Sequence, residues 1–489
     1  MTDDTDPATL AARAAAELPA GFVWGAATSA YQIEGALAAD GRRPCIWDTF
    51  AATPGKTWRG ESGDPGCDHY HRHAHDVRLM ADIGLAAYRF SVAWPRVQPA
   101  GRGPANAAGV AFYDQLVDEL LAAGIDPWAT LYHWDLPQEL QDRGGWSDRD
   151  TAHRLADYAV LVADALADRV RHWSTVNEPW CSAFEGHMSG RHAPGAQSAA
   201  TAVRVAHHLL LGHGLAAVAL RSRGAAEVGI SLNLIPAEPV DDSPASQDAG
   251  RLVDGQQNRL FLDPLLRGRY PDDVVADFAR AGAELPIADG DARLIASPID
   301  WVGVNYYAPH LVAAGAATAR NQPARGAAPA SAPSSPAPAS PSPFVPGDAV
   351  AQVAASEDVT ALGWPVRPGS FAAMLRRLHR DYPGTPLVIH ENGAAYHDTV
   401  SADGAVDDPD RVRYIARHID AVRATVREGV DVRGYFVWSL LDNYEWAEGY
   451  RMRFGIVHVD HATQRRTLKS SARWYAGLIR AHREAKGAP

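Results

Sequence analysis

Eight short apolar runs, rich in β-branched and aromatic residues, constrain the fold of this chain more than any other feature. They cover residues 22–30, 86–94, 126–134, 172–179, 227–234, 300–307, 386–393 and 432–443. Patterns with apolar positions three and four residues apart separate most of these runs and predict helices, most clearly at 111–124, 153–170 and 370–382. Strands that alternate with helices pair in parallel, because parallel strands need a crossover connection. Eight such strands predict a single (β/α)8 TIM barrel; an open doubly wound sheet is the alternative, but no G-x-G-x-x-G motif follows the first run.

The chain length fits this barrel as one domain with extended loops at the C-terminal face of its strands. The 489 residues would also suit several smaller domains, but (β/α)8 barrels with insertions can exceed about 400 residues. We predict one domain at residues 19–484 and a flexible N-terminal extension at residues 1–18. In residues 323–343, 19 of 21 residues are Ala, Pro or Ser, a composition that cannot bury a core. It predicts a loop insertion at about residues 321–346, either a tolerated surface insertion or a shaper of the active-site entrance.

Charge and cysteine content limit the possible binding partners and the possible cellular compartment of the protein. The net charge of −12 argues against nucleic-acid and anionic-membrane partners and suits a small neutral ligand. Cys45, Cys67 and Cys181 are odd in number and far apart, which argues against a disulfide framework and favours a reducing compartment. The acidic N-terminus lacks the apolar core of a signal peptide, and no uninterrupted run approaches the ~18 apolar residues of a membrane span. We therefore expect a cytoplasmic protein, and the oligomeric state stays open.

Polar and aromatic side chains gather where the predicted strands end, which is where (β/α)8 barrels carry their active sites. These ends hold Gln32, Arg89, His133, Trp134, Asn177, Glu178, Asn305, Tyr307, Glu391 and Trp438. Two of them are carboxylates beside an asparagine: Glu178 in HWSTVNEP (172–179) and Glu391 in PLVIHENG (386–393). A glutamate that follows an apolar strand is partly desolvated and must be held by partners. Each alone could cap a helix or pair with an arginine, but together they are a candidate functional pair.

Two motifs, TVNEP (175–179) and IHENG (389–393), resemble the signatures of glycoside hydrolase family 1, the β-glucosidase family. The resemblance covers nearly the whole chain and includes FVWGAATSAYQIEGA (22–36), YRFSVAWPR (88–96), TLYHWDLP (130–137), GRHAPG (190–195), GVNYY (303–307), GYFVWSLLDNYEWAEGY (434–450) and RFGIVHVD (453–460). One residue departs from the family pattern: His390 stands where Thr or Ser usually precedes the second glutamate. We expect local hydrogen bonding to differ there.

The resemblance implies a retaining β-glycosidase, most simply a β-glucosidase that needs no cofactor and no metal. Retaining enzymes hold two carboxyl groups about 5–5.5 Å apart, so that one protonates the leaving oxygen while the other attacks the anomeric carbon. Glu391 is then the expected nucleophile, and Glu178 the general acid and later the general base. Arg89 and Tyr307, in the family's positions beside the nucleophile, would keep Glu391 ionised, and Asn305 would support the pair.

The resemblance also implies how a neutral hexose is bound. Gln32 and Glu445 would grip the distal hydroxyls, Asn177 the 2-hydroxyl, and His133 would add a further polar contact. Trp438 and Trp446 would offer flat apolar faces to the sugar ring. The side chains expected to complete the wall and to contact the aglycone are Trp134, Phe454 and Trp364.

Three other functions share much of this pattern. A 6-phospho-β-glycosidase is disfavoured, because an anionic Glu445 would repel the phosphate. A non-catalytic sugar-binding protein on the same barrel is disfavoured because both glutamates stand in intact motifs. A transglycosidase shares every catalytic residue and stays open. The histidine-rich CDHYHRHAHD (67–76) pairs His69 with His73 and His71 with His75 on a helix, without a third ligand, so we expect no metal there.

Overall fold

A computed structural model of the chain describes residues 6–315, 341–355 and 358–487. Eight parallel strands form a closed barrel in which each strand hydrogen-bonds to the strands before and after it, and the eighth closes on the first. In chain order, barrel strands one to eight are Val23–Ala27, Ala87–Ser91, Asp126–Tyr132, His172–Asn177, Glu227–Asn233, Trp301–Asn305, Leu387–Asn392 and Val432–Trp438. All eight lie within the runs identified from the sequence, which confirms the single (β/α)8 barrel.

Helices surround the barrel, and the three helices predicted from the sequence are among them. The longer α-helices include Pro7–Glu17, His69–Ile83, Ala107–Ala122, Asp150–Leu166, Ala199–Ser222, Pro244–Asp254, Leu260–Arg267, Asp272–Arg280, Pro368–Asp381, Pro409–Arg427 and Ser470–Ala485. Short α-helices span Ala30–Ile33, Ile46–Ala52, Trp94–Val97, Gln138–Gln141 and Asp291–Ile295. Outside the barrel, strands Ala237–Pro239, His310–Ala314 and Val350–Gln352 form one small sheet, and Val457–Asp460 pairs with Arg465–Leu468.

The barrel interior is filled by large rings that lie against glycines. A Cβ added to Gly229 would come within 2.3 Å of the Trp301 ring, and one added to Gly303 within 2.6 Å of the His390 ring. Real Cβ atoms do not approach other atoms that closely, so these rings fit only because both neighbours lack a side chain. The space over Gly303 explains how the barrel accommodates a histidine at position 390.

The N-terminal segment differs from the predicted flexible extension. Residues Pro7–Glu17 form a helix that packs against helices Pro409–Arg427 and Ser470–Ala485. Leu10 and Ala14, one helical turn apart, are buried in this contact. An apolar stripe at this spacing needs a partner surface, and the two helices supply it. The folded unit therefore begins before residue 19.

One helix in the described part of the chain, Ala199–Ser222, is long and apolar enough to cross a membrane. The apolar window within it is 78% buried inside the molecule, where the helix packs against Asp150–Leu166 and the fourth and fifth barrel strands. Arg204, His207 and His208 interrupt its sequence, so it contains no long uninterrupted apolar run. Its apolar residues belong to the protein core.

The predicted low-complexity insertion lies mostly outside the described residues, which resume at residue 341. At its C-terminal end, Phe344 and Val345 are buried. The backbone nitrogen of Val345 donates to Oε1 of Gln256 at 2.9 Å, and the Phe344 ring lies 5.8 Å from that of Trp180. The last residues of the predicted insertion are therefore packed on the barrel.

Candidate active site

The carboxyl groups of Glu178 and Glu391 lie together at the C-terminal end of the barrel. Both residues are buried, and the Asn305 amide acts on both. Nδ2 of Asn305 donates to Oε1 of Glu178 at 2.7 Å, and Asn305, in register with Glu391 on the neighbouring strand, also stabilises the charged form of that residue. The fold thus brings two glutamates that are 213 positions apart into one site.

Glu391 is held by a cation and a phenol. Nη1 of Arg89 donates to its Oε1 at 2.6 Å, and the Tyr307 hydroxyl donates to its Oε2 at 2.7 Å. Burial raises the pKa of Glu391, whereas the Arg89 charge and the two hydrogen bonds oppose that rise. A guanidinium stays protonated at any working pH, so the positive charge beside Glu391 is permanent.

Within the described residues, the hydrogen-bond partners of the Glu178 carboxyl group are neutral. Its Oε1 accepts from Asn305, and its Oε2 accepts from the Cys181 thiol at 3.1 Å. Burial, and then the negative charge of Glu391, raise the pKa of Glu178 to about 8. At neutral pH Glu178 therefore carries a proton while Glu391, with its cation, is the member of the pair that ionises first.

Arg89 also orders the residues beneath the pair. Its Nη2 donates to Oδ1 of Asn177 at 2.6 Å and to the Ser231 hydroxyl at 3.3 Å. The same hydroxyl lies 2.8 Å from Nδ1 of His390. Burial lowers the pKa of His390 well below its ordinary value, so this imidazole is neutral. The local difference expected at His390 is thus its contact with Ser231. Ser231 is itself two hydrogen bonds away from the Glu391 carboxylate, through Arg89.

The polar residues expected to bind the sugar lie around this pair. Nε2 of His133 is 3.1 Å from Nδ2 of Asn177. Nε2 of Gln32 donates to the Tyr444 carbonyl at 2.9 Å and to Oδ1 of Asn443 at 3.2 Å. Both amide hydrogens of Gln32 are thus used by the loop that follows the eighth strand, which fixes Gln32 against that loop.

Glu445, on the same loop, differs from the anion assumed in the sequence argument. Its Oε2 is buried and has no hydrogen-bond partner within the described residues. Burial, followed by the charges of Glu448, Glu391 and Glu178, raises the pKa of Glu445 to about 8, which Arg191 partly opposes. With no sugar bound, the Glu445 carboxyl is therefore largely protonated at neutral pH. Its unpaired oxygen is a free hydrogen-bonding group in a buried pocket, which costs free energy unless a ligand meets it.

The predicted aromatic wall is present. The Trp446 ring lies 4.5 Å from that of Trp134, and the Trp438 ring is 6.0 Å from His133. Trp364 lies farther out, with its ring 5.7 Å from Tyr307 and 6.3 Å from Phe454, and keeps part of its surface exposed. The sequence-predicted site residues therefore meet at one end of the barrel.

Three residues of the site have left-handed backbone conformations, which residues other than glycine rarely adopt. The φ angles are 78° at Trp134, 48° at Glu178 and 49° at Trp446. Such conformations cost of order 1–3 kcal/mol each and persist where the surrounding structure enforces them, frequently in functional sites. Their coincidence at one place is an independent sign of a functional site.

Four residues of the site were missed in the sequence analysis. Cys181, Ser231 and Asn443 make hydrogen bonds described above, and the Trp47 ring lies 4.6 Å from that of Trp446. Two signals were available: Cys181 follows Glu178 by three residues, one helical turn, and Ser231 lies near the end of the fifth strand. Trp47 lies on a short helix outside the barrel strands, and the strand-end argument does not reach it.

The imidazoles of the histidine-rich helix His69–Ile83 pair with carboxylates of the protein. His69 Nδ1 lies 2.8 Å from Asp76, and His73 Nδ1 lies 2.7 Å from Glu119. In the described part of the chain, the group with metal-ligand spacing is elsewhere: Asp398, Asp442 and His458. There Lys469 contacts both aspartates, and the guanidinium groups of Arg411 and Arg453 add further positive charge. Side-chain cations of the protein itself thus neutralise this cluster.

Comparison with known proteins agrees with this geometry. The family model described as Glycosyl hydrolase family 1 matches residues 14–484. Thermostable β-glucosidase B of Thermobispora bispora is 50% identical over 463 residues, which cover 94% of this chain and 90% of that protein. The bifunctional β-D-glucosidase/β-D-fucosidase of Bifidobacterium breve is 45% identical over 95% of this chain and 98% of its own length. The crystal structure of the psychrophilic β-glucosidase BglU from Micrococcus antarcticus superimposes with a TM-score of 0.89 at 47% identity, covering 96% of this chain and 99% of that one. The chain belongs to glycosyl hydrolase family 1.

Proposed function

We propose that this protein is a β-glucosidase that releases terminal β-D-glucosyl residues from small neutral β-glycosides with retention of configuration. Glu391 is the nucleophile, and Glu178 is the general acid and then the general base. The observation that carries these roles is the asymmetry of the two carboxyl groups. A permanent cation contacts Glu391 at 2.6 Å, whereas Glu178 is held by an amide and a thiol.

In the first step, the ionised Glu391 attacks the anomeric carbon while Glu178 gives its proton to the departing glycosidic oxygen. The bond from carbon to the aglycone oxygen breaks, and an ester bond to Glu391 forms. Asn177, fixed by Arg89, donates to the 2-hydroxyl in this proposal, a hydrogen bond that strengthens in the transition state.

In the second step, Glu178 acts as a base because its surroundings have changed. Once Glu391 is an ester, it no longer carries the negative charge that raises the pKa of Glu178. Glu178 then takes a proton from water as that water attacks the anomeric carbon, and the ester bond breaks to regenerate ionised Glu391. One residue can serve both steps because its neighbour alternates between charged and neutral.

The glycone pocket supports a neutral hexose as the ligand. The unpaired oxygen of Glu445 and the ordered amides of Asn177 and Gln32 suit hydroxyl groups. Resemblance to a bifunctional relative extends the proposal to β-D-fucosides as secondary substrates. The buried free cysteines support our proposal of a reducing, cytoplasmic location.

A panel of nitrophenyl glycosides, with and without a 6-phosphate, tests this function. We expect the β-D-glucoside to be cleaved fastest, the β-D-fucoside and the 6-phosphate more slowly, and the α-D-glucoside not measurably. Proton NMR should show β-glucose as the first product. No hydrolysis of the β-D-glucoside, or α-glucose as the first product, would contradict the proposal.

A further inference from the structure

The acid/base carboxyl group touches a thiol. Sγ of Cys181 lies 3.1 Å from Oε2 of Glu178, and the backbone nitrogen of Cys181 donates to the Glu178 carbonyl at 3.0 Å. Cys181 begins the π-helical turn Cys181–Glu185, which follows the left-handed Glu178. Turns of this kind are rare and recur at functional sites. The local backbone thus presents the thiol to the carboxyl group.

A second contact fixes the direction of the hydrogen bond. Nδ2 of Asn233, on the fifth barrel strand, donates to Sγ of Cys181 at 3.4 Å. The sulfur therefore accepts from Asn233 and keeps its own hydrogen for Glu178. Asn305 holds the other carboxyl oxygen at 2.7 Å, so each oxygen of Glu178 meets one neutral donor.

The thiol keeps its hydrogen throughout the working pH range. Burial, followed by the charges of Glu178 and Glu185, raises the pKa of Cys181 well above its ordinary value. A thiolate would be required for oxidation or alkylation at a useful rate. These surroundings exclude a redox role and leave hydrogen bonding as the chemistry available to this sulfur.

We propose that Cys181 is a positioning residue for the acid/base, in which the thiol, aligned by Asn233, holds the Glu178 carboxyl group against Asn305 and stabilises its charged form. The inference rests on the proposed role of Glu178. Hydrogen bonds to the charged form of an acid favour ionisation. The thiol would therefore assist the second step, in which Glu178 must be ionised.

The test is the pH dependence of kcat/KM, because this quantity reports ionisations of the free enzyme. Glu178 must be protonated for the first step, so activity falls as the pH rises through its pKa. Removing a donor to the charged form raises that pKa, and the alkaline limb should move to higher pH. The groups that also face Glu178 and must stay unchanged are Glu391, Arg89, Asn305, Tyr307 and Glu445.

For Cys181→Ala we expect the alkaline limb to rise by about 0.5 pH unit, the size of one weak neutral hydrogen bond. Cys181→Ser keeps a donor and should stay close to the unmodified protein. Cys67→Ala is the matched control: the Cys67 thiol is also buried and also donates at 3.1 Å, but to the Asp442 carbonyl. Its pH profile should not move. Should Cys181→Ala fail to fold, Cys181→Val removes the same donor with less loss of packing.

The possible outcomes distinguish a failure of the positioning role of Cys181 from a failure of the proposed β-glucosidase function. An active protein in which the limb stays fixed in both Cys181→Ala and Cys181→Val, or shifts equally in Cys67→Ala, would overturn the positioning role alone. A lower kcat with an unmoved limb would show a packing role and overturn it as well. An unmodified protein without β-glucosidase activity would overturn both the proposed function and this inference.

Discussion

The ends of the fourth and seventh barrel strands carry the same residue type at nearly the same burial, yet they offer opposite chemistry. Glu391 meets Arg89 and the Tyr307 hydroxyl, and Glu178 meets the Asn305 amide and the Cys181 thiol. Burial raises the pKa of both carboxyl groups. One arginine decides which of them ionises, and the resulting charge then keeps the proton on the other. The division of roles thus depends on partners rather than on the glutamates themselves.

The largest effect on activity is expected when Glu391, the ionised carboxyl group of the pair, is lost. Glu391→Gln keeps the shape of the side chain but removes the nucleophile, and we expect kcat to fall by about five orders of magnitude or more. The melting temperature should fall, because the buried Arg89 guanidinium loses its partner charge. Steady-state assays with an aryl glucoside, combined with thermal melting, check both expectations. Activity above about 1% of the unmodified protein would exclude Glu391 as the nucleophile.

Loss of the protonated member should have an effect that depends on the leaving group. For Glu178→Ala, alkyl glucosides should be cleaved about 10²–10⁴-fold more slowly, the usual contribution of general acid catalysis. A dinitrophenyl glucoside needs no proton, and its kcat/KM should change little. Glu185→Ala, which alters a carboxylate seven residues away that binds Ser189, should show no leaving-group dependence.

Added azide should rescue Glu178→Ala by replacing water in the second step. The expected product is the β-glucosyl azide, identified by NMR. Formation of the α-azide would mean that no covalent intermediate on Glu391 had formed.

Without the Arg89 cation, the surroundings of Glu391 should become similar to those of Glu178. In Arg89→Met, the pKa of Glu391 loses its main opposing influence and rises. Because Glu391 must be ionised to react, the acid limb of kcat/KM should move up by about one pH unit or more. Arg96→Met is the control, since Arg96 is equally buried but pairs with Glu34 at 2.9 Å. It should lower stability without moving the acid limb; equal shifts in both variants would refute the role of Arg89.

The smallest effect is expected at His390, whose ring is three hydrogen bonds away from the Glu391 carboxylate, through Ser231 and Arg89. His390→Thr restores the residue type typical of the family but leaves space over Gly303. We expect unfolding to become easier by about 1–2 kcal/mol through the cavity, while kcat/KM changes by no more than about threefold. Denaturant titration and steady-state assays measure the two quantities. A large loss of activity would show that His390 controls Arg89 through Ser231 more strongly than this geometry indicates.

The barrel and most of the site could be predicted from the sequence because they depend on regular features. Strand runs alternate with helical ones, and chemistry in such a barrel collects at strand ends, which pointed to Glu178, Glu391 and Arg89. Other features depend on contacts between distant segments. The helix Pro7–Glu17 needed two C-terminal helices as its partner surface. The proton on Glu445 results from burial among other carboxyl groups, which the residue's identity does not reveal.

The contacts of Cys181 and His390 also depend on the folded backbone. The three-residue spacing suggests that Cys181 is close to Glu178, but the π-turn and the left-handed residue that bring the thiol to the carboxyl group have no clear signature in the sequence. His390 fits because a glycine on the neighbouring strand leaves room for its ring. The register between two strands determines which residues lie beside each other, such as His390 and Gly303. This register is set by the folded barrel and cannot be read from the sequence of either strand alone.

The most direct test of the account is the pKa of Glu178 before and after Glu391 becomes an ester. Carbon-13 NMR of protein labelled at the glutamate carboxyl carbon, with Glu178→Gln to assign the signal, can measure it in the free enzyme and in a trapped 2-fluoroglucosyl enzyme. We expect the pKa of Glu178 to be about 8 in the free enzyme. In the glucosyl enzyme it should fall by about two units or more, since the neighbouring charge has gone. A pKa that changes by less than about half a unit would contradict the claim that the charge of Glu391 helps to keep Glu178 protonated.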